Sequence, residues 1–317
     1  MLSSRTVRSF AALLAIAVAI AWWLTSPLPI TGGSLPAHEP DRAAGEQIFW
    51  AGGCASCHAS PVNGKRAKGD DKLLLGGGEE LETEYGVFRV PNISSHADDG
   101  IGEWTLLEFV NAMQRGVSPD GRHYYPSFPY TSYARMPVED VINLKAFLDT
   151  LPPVEGRVAA HSLGFPWSIR RGLGAWKRRY LDTSPVMPAA EPTLASRGRL
   201  LVEGAGHCGE CHTPRDRFGG LQRERWLAGA PNPEGKGRVP NITPGGKTIS
   251  EWSAADIAYY LESGFTPEFD TVGGSMVAVQ ENMARLSDED RQAIAAYLKA
   301  LPALDGSDSS VKEHLND

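Results

Sequence analysis

Gly52-Gly53-Cys54-Ala55-Ser56-Cys57-His58 and Gly206-His207-Cys208-Gly209-Glu210-Cys211-His212 decide how this 317-residue chain is read. Each holds the pattern C-x-x-C-H, and together they use all four cysteines. Two thiols three residues apart on the first turn of a helix lie on one side of the chain. They can add to the two vinyl groups of one haem, and the next residue, histidine, then points its imidazole at the iron. The pattern predicts two covalently bound c-type haems. One is attached through Cys54 and Cys57 with His58 on the iron, the other through Cys208 and Cys211 with His212 on the iron. Two other uses of such pairs are weighed. A redox dithiol of the thioredoxin kind needs alternating strands, and strand signals are weak here. A shared zinc site needs two distant segments to converge and gives the methionines no role.

Outward from these stretches the chain repeats itself. Arg89-Val90-Pro91-Asn92-Ile93-Ser94 matches Arg238-Val239-Pro240-Asn241-Ile242-Thr243, and Glu103-Trp104 matches Glu251-Trp252. Gly116-Val-Ser-Pro119 matches Gly264-Phe-Thr-Pro267. Each half closes on an apolar helical pattern, Val138 to Leu151 and Ser287 to Leu301, with Ser287 and Asp290 placed as a helix cap. Helical segments between Gly- and Pro-rich loops predict an all-α fold of two tandem domains, 41–153 and 194–303. Residues 154–193 read as a linker, with a short helix expected from Phe165 to Tyr180. Its basic residues Arg170, Arg171, Lys177, Arg178 and Arg179 are expected to form a solvated face. Residues 304–317 read as a polar, frayed tail.

The first thirty residues stand apart. Arg5 and Arg8 precede an apolar run from Phe10 to Leu24 that ends in Trp22 and Trp23, followed by Pro27 and Pro29. A positive start and an apolar run describe a signal peptide or an uncleaved anchor. Ala19-Ile20-Ala21 is the only cleavage site on offer, and cutting there would leave two tryptophans at the new end. Segment 1–30 is therefore read as a single N-terminal anchor in the inner, cytoplasmic membrane, with the tryptophans at the interface and the haem domains in the periplasm. A net charge of −7 leaves no basic footprint for nucleic acid.

The sixth iron ligand is expected from a loop before each half's last helix, where methionine raises the potential. In the second half Met276, after Val272-Gly-Gly-Ser, is preferred to Met283. In the first half Met136 is the only methionine between Gly116 and the last helix, and His123 is a further option. The Pro91 and Pro240 carbonyls are expected to accept the ring N–H of His58 and His212, and Arg89 and Arg238 to face haem propionates.

Taken together, Gly52-Gly-Cys-Ala-Ser-Cys-His, Leu75-Gly-Gly-Gly, Val90-Pro-Asn-Ile, Gly116-Val-Ser-Pro-Asp-Gly-Arg-His, Tyr125-Pro-Ser-Phe-Pro-Tyr and Arg197-Gly followed by Gly206-His-Cys-Gly-Glu-Cys-His-Thr-Pro-Arg run through most of residues 41–303. With these stretches the chain resembles the multihaem cytochrome c subunits of bacterial membrane-bound sugar and alcohol dehydrogenases. The resemblance implies class I cytochrome c domains. It also implies an electron carrier, not an enzyme, that passes electrons from a periplasmic or membrane-bound dehydrogenase to a downstream quinone, cytochrome or oxidase. The chain departs from that family in carrying two attachment motifs where three are common. It also has Phe128 where a methionine is common. An open iron at the first haem would suit a different class, a dihaem enzyme such as a peroxidase or thiosulfate dehydrogenase.

Overall fold

The computed structural model describes residues 4–305 apart from 189–192, 234 and 236, so the tail expectation beyond residue 305 lies outside the described residues. The apolar run is one helix, α1 (Ser4–Leu24), 21 residues long, with a mean hydropathy of 2.0 over its most apolar 18 residues and no buried residue. At about 1.5 Å per residue it is roughly 31 Å long, enough to cross a membrane.

The first half is built from α2 (Arg42–Ala51), α3 (Cys54–His58), α4 (Leu106–Arg115), α5 (Tyr130–Tyr133) and α6 (Val138–Leu148). Asp41 caps α2 by accepting from the amides of Ala43 and Ala44. Thr105 and Glu108 close a capping box on α4, which ends at Gly116 in a left-handed conformation. The linker supplies α7 (Leu173–Tyr180). The second half repeats the plan with α8 (Leu194–Arg199) and its π-helical continuation Leu200–Ala205, α9 (Gly209–His212), α10 (Ala254–Ser263), α11 (Met276–Met283) and α12 (Asp288–Ala300). Ser253 and Asp256 box α10, and the Ser287 hydroxyl caps α12 by accepting from the Asp290 amide, as the sequence predicts.

In each half the first and last helices cross at a glycine. A Cβ on Gly45 would lie 2.0 Å from the Asn143 carbonyl oxygen of α6, and one on Gly198 would lie 1.8 Å from that of Ala293 in α12. Only a bare Cα lets the helices approach this closely. One cluster of buried apolar side chains then runs through both halves, from Ile48, Phe49 and Leu144 to Leu201, Ile294 and Leu298.

The all-α expectation is met only in part. Strands β1 (Glu80–Thr83) and β2 (Gly86–Arg89) form an antiparallel hairpin, and β3 (Ser162–Leu163) adds to β2. A second pair joins β4 (Ala230–Pro231) to β5 (Arg238–Val239). Runs of two to four residues are too short to show the two-residue period by which strands are read. The helix expected from Phe165 to Tyr180 is shorter than that range, because residues 164–169 form an exposed loop before it.

Candidate functional site

Both motif histidines are held twice. His58 ends α3, and its Nδ1 lies 2.9 Å from the Pro91 carbonyl oxygen, while the Gly77 amide donates to the His58 carbonyl at 2.8 Å. In the second half His212 Nδ1 lies 2.8 Å from the Pro240 oxygen and the Gly229 amide donates to the His212 carbonyl at 2.8 Å. Burial lowers the pKa of both rings, against the opposing pull of the proline carbonyls. A neutral ring that donates from Nδ1 keeps a lone pair on Nε2, the form an iron ligand needs. Gly77 has φ +67°, and a Cβ there would sit 2.5 Å from the Pro91 oxygen, so the carbonyl reaches the ring only because residue 77 is glycine.

The Val-Pro-Asn-Ile loops are latched from behind. Asn92 donates to the carbonyls of Val154 (2.7 Å) and Gly156 (3.1 Å) and accepts from the Ser94 amide. Asn241 donates to Leu304 O at 2.7 Å and accepts from the Thr243 amide. In each half the chain leaving the last helix thus fixes the loop that fixes the histidine.

The first thiol of each motif does not suit a redox dithiol. Burial pushes Cys54 and Cys208 up to about 12, whereas a reactive dithiol needs a depressed thiol. Among the described residues no three His, Cys, Asp or Glu side chains come together as a metal site, so the zinc reading has no geometry. Two thiols and one imidazole per short helix, given twice, fit a thioether-linked haem in each half.

The candidate sixth ligands fall in different settings. Met276 opens α11, partly exposed, at the end of the Gly273-Gly274 loop, whereas Met283 is buried in the core. Met136 is buried and lines a small cavity with Met113, Tyr133 and Cys54, and a Cβ on Gly204 of the second half would come within 2.9 Å of its Cγ. Phe128 joins a cluster of aromatic rings with Tyr124, Tyr130 and Tyr133. His123 is not the surface residue its loop position suggests. It is 4% exposed, with Nε2 2.9 Å from the Thr25 carbonyl oxygen beyond the end of α1.

Arg89, expected to face a haem propionate, bonds Glu80 and the Ala160 carbonyl, because β2 turns its side chain toward β1 and the linker. The solvated face expected of the basic cluster is met only by the exposed Arg178 and Arg179. Lys177 is buried, donating to the carbonyls of Arg115 and Gly116, and Arg171 and Arg178 bond the end of α1.

Sequence reading missed the contacts that join the two sites. The residue before the second cysteine of each motif reaches across to the helix preceding the other half's last helix. Asn282 Nδ2 donates to Ser56 Oγ at 2.7 Å, and Glu210 accepts from Ser132 Oγ (2.8 Å) and Thr131 Oγ1 (3.0 Å). Ser132 and Asn282 each stand four residues before the repeat position held by Met136 and Leu286, so aligning the halves was the available signal. The backbones meet as well. His207 Nε2 lies 3.2 Å from the Gly52 carbonyl oxygen, and the His207 and Tyr133 rings are 5.9 Å apart edge to face. A Cβ on Gly52 would touch Cys54 Sγ (3.4 Å) and Ala205 O (3.5 Å), and one on Gly206 would touch Cys208 Sγ (3.6 Å) and Ala51 O (3.7 Å). The two attachment turns therefore abut.

Comparison with known proteins agrees with this geometry. The profile of the family described as Cytochrome c matches residues 42–152 and 195–302. The chain is 50% identical over 301 residues to a diheme cytochrome c-type protein of Cereibacter sphaeroides, covering 95% of this chain and 99% of that one. It is 35% identical to the fructose dehydrogenase cytochrome subunit of Gluconobacter japonicus and 30% identical to the cytochrome c subunit of the quinone-dependent alcohol dehydrogenase of Gluconobacter oxydans. These matches cover 88% and 87% of this chain but 55% and 59% of those subunits. With its profile matched once in each half, each match containing one C-x-x-C-H turn, the chain belongs to the cytochrome c family and is an electron carrier.

Proposed function

We propose that the chain carries two covalent haems, one at Cys54, Cys57 and His58 and the other at Cys208, Cys211 and His212, and relays single electrons between them. The donor is a periplasmic or membrane-bound dehydrogenase, and the acceptor is a quinone, cytochrome or oxidase of the respiratory chain. The observation that carries this reading is the abutment of the two attachment turns, with Ser56 bonded to Asn282 and Glu210 to Ser132. A c-type haem supplies a reversible one-electron iron couple. The protein's part is to hold each imidazole rigid through Pro91 and Pro240, to bury it, and to keep the attachment turns in register. Fixed ligands and fixed spacing keep reorganisation small when charge arrives or leaves.

The names of the dehydrogenase subunits among the relatives support the donor class. The length of α1 supports an inner-membrane anchor, and Arg5 and Arg8 before it support a body on the periplasmic side. Met276 is proposed as the sixth ligand of the second haem, which its place at the end of a glycine loop supports. Met136 is proposed for the first haem, which its place beside Cys54 supports.

The test is optical spectroscopy of purified holoprotein with Met276→Ala and Met136→Ala. Each change should remove the thioether-to-iron band of one haem and leave the other. If Met136→Ala leaves both bands intact, its ligand role is wrong. If electrons placed on one haem fail to equilibrate with the other, the relay is wrong.

A further inference from the structure

The linker clamps the end of α1. Arg171 donates through Nη2 to the Trp22 carbonyl (2.7 Å) and Ser26 Oγ (2.8 Å) and through Nε to Thr25 Oγ1 (3.1 Å), with its guanidinium 3.8 Å from the Trp22 ring centre. Arg178 bonds the Leu24 carbonyl and lies 5.4 Å from the Trp23 ring. Gly174 lets α7 ride on the chain, since a Cβ there would be 2.2 Å from Thr25 O. His123 also holds Thr25, and Asn111 exchanges two hydrogen bonds with the backbone of Ile30. The helix end is thus bolted to the body at a fixed height.

Directly before this clamp the chain exposes a row of large apolar side chains. Phe165 is 83% exposed, Trp167 51% and Ile169 53%. The loop that presents them is shaped, with the Ser168 amide bonded to Gly164 O, the Ile169 amide to Pro166 O, and the Tyr125 hydroxyl to Trp167 O. Ile169 is two residues from Arg171, hence within about 7 Å of chain from the clamp on Trp22. From Gly164 to Tyr180 there are five basic residues and no acidic one, in a chain whose net charge is −7.

We propose that this loop is a second membrane contact, resting on the reading of α1 as a span. Phe165, Trp167 and Ile169 enter the headgroup boundary of the leaflet in which α1 ends, and the exposed Arg178 and Arg179 farther along the linker face anionic lipid phosphates. Three arguments select lipid as the occupant. The loop is continuous with the helix end that must itself lie at the interface. Aromatic side chains beside cations are the composition of interfacial segments. The local charge is opposite to that of an anionic leaflet and to that of the rest of the chain. Clamp and loop together give the first half two points of attachment, which fixes its tilt and not only its distance from the bilayer.

The test uses the full haem-loaded chain in vesicles containing phosphatidylglycerol. With the native cysteines tied up as thioethers, Ile16→Cys, Phe165→Cys and Phe269→Cys each offer one site for a nitroxide label. Collision with oxygen against a water-soluble nickel chelate reads depth. Oxygen should dominate at 16, the chelate at 269, where Phe269 is 87% exposed on the second half, and 165 should be shifted clearly toward oxygen. Replacing the anionic lipid by a neutral one should move 165 back toward water while 16 stays. If 16 is buried in lipid and 165 is as wet as 269, the proposal fails while the anchor stands. If 16 is wet, the anchor reading fails and takes the proposal with it. A label at 165 that is wet in lipid alone and shielded only when the dehydrogenase is added overturns the proposal in favour of a protein partner.

Discussion

Gly77 shows how one missing side chain sets the hydrogen bonding of His58, the proposed iron ligand. Its positive φ and the 2.5 Å between a would-be Cβ and Pro91 O mean that alanine must push the carbonyl away from His58. The lost hydrogen bond makes the imidazole a weaker donor, which favours the reduced iron. Gly77→Ala should raise the potential of the first haem, leave that of the second, and cost about 1–3 kcal/mol of stability. Redox titration with thermal unfolding reads both, and unchanged potentials with native stability would sink the argument. Nothing in Leu75-Gly-Gly-Gly marks which glycine faces the carbonyl, because that depends on where a loop fourteen residues later returns. The two C-x-x-C-H turns were legible at this scale because their residues adjoin along one chain, and the structure coils each into a short helical turn. Glu203 was not, since an acid inside Leu201-Val-Glu-Gly reads as a surface residue. It is fully buried, accepting from the Tyr297 hydroxyl and from the amides of Val186 and Met187.

At the scale of the element, the helix crossings carry the fold of each half. Gly198 puts α8 against the Ala293 carbonyl with no room for a methyl group, and main chain cannot step aside as a flexible side chain can. Gly198→Ala should destabilise the second half by about 1–3 kcal/mol through overpacking. Gly273→Ala, where a Cβ meets nothing within 4 Å, should cost little. Equal melting temperatures for the two variants would refute this account of the crossing. The closing helices were legible because a long apolar period and a serine cap are local signals, and the cap at Ser287 is where the sequence puts it. The short strands were not, because runs of two to four residues show no two-residue period, and β3 meets β2 only where Val87 comes opposite Ser162, seventy-five residues away. The linker was misread for the same reason, since its cations look solvated until the carbonyls of Trp22, Leu24, Arg115 and Gly116 are brought to them.

In the whole molecule, the two halves are joined where their C-x-x-C-H turns meet, through Asn282 on Ser56 and Glu210 on Ser132 and Thr131. Glu210 is its charged member. Burial alone would raise its pKa, but the Arg215 guanidinium and the Ser132 hydroxyl outweigh this and hold the carboxyl below its ordinary value of 4.5. A carboxylate with a depressed folded pKa contributes stability that is fully present above about pH 4.5 and is lost as pH falls through the lowered value. Glu210→Ala leaves the Ser132 and Thr131 hydroxyls without their acceptor and should cost about 1–3 kcal/mol at pH 7. Asn282→Ala removes the matching bond to Ser56 and should cost a similar amount, with no new dependence on pH. Denaturant unfolding from pH 7 to pH 3 separates the two. The Glu210 variant should lose part of the native protein's acid destabilisation, whereas the Asn282 variant should run parallel to the native curve. If Glu210→Ala also runs parallel, its charge does not hold the halves together.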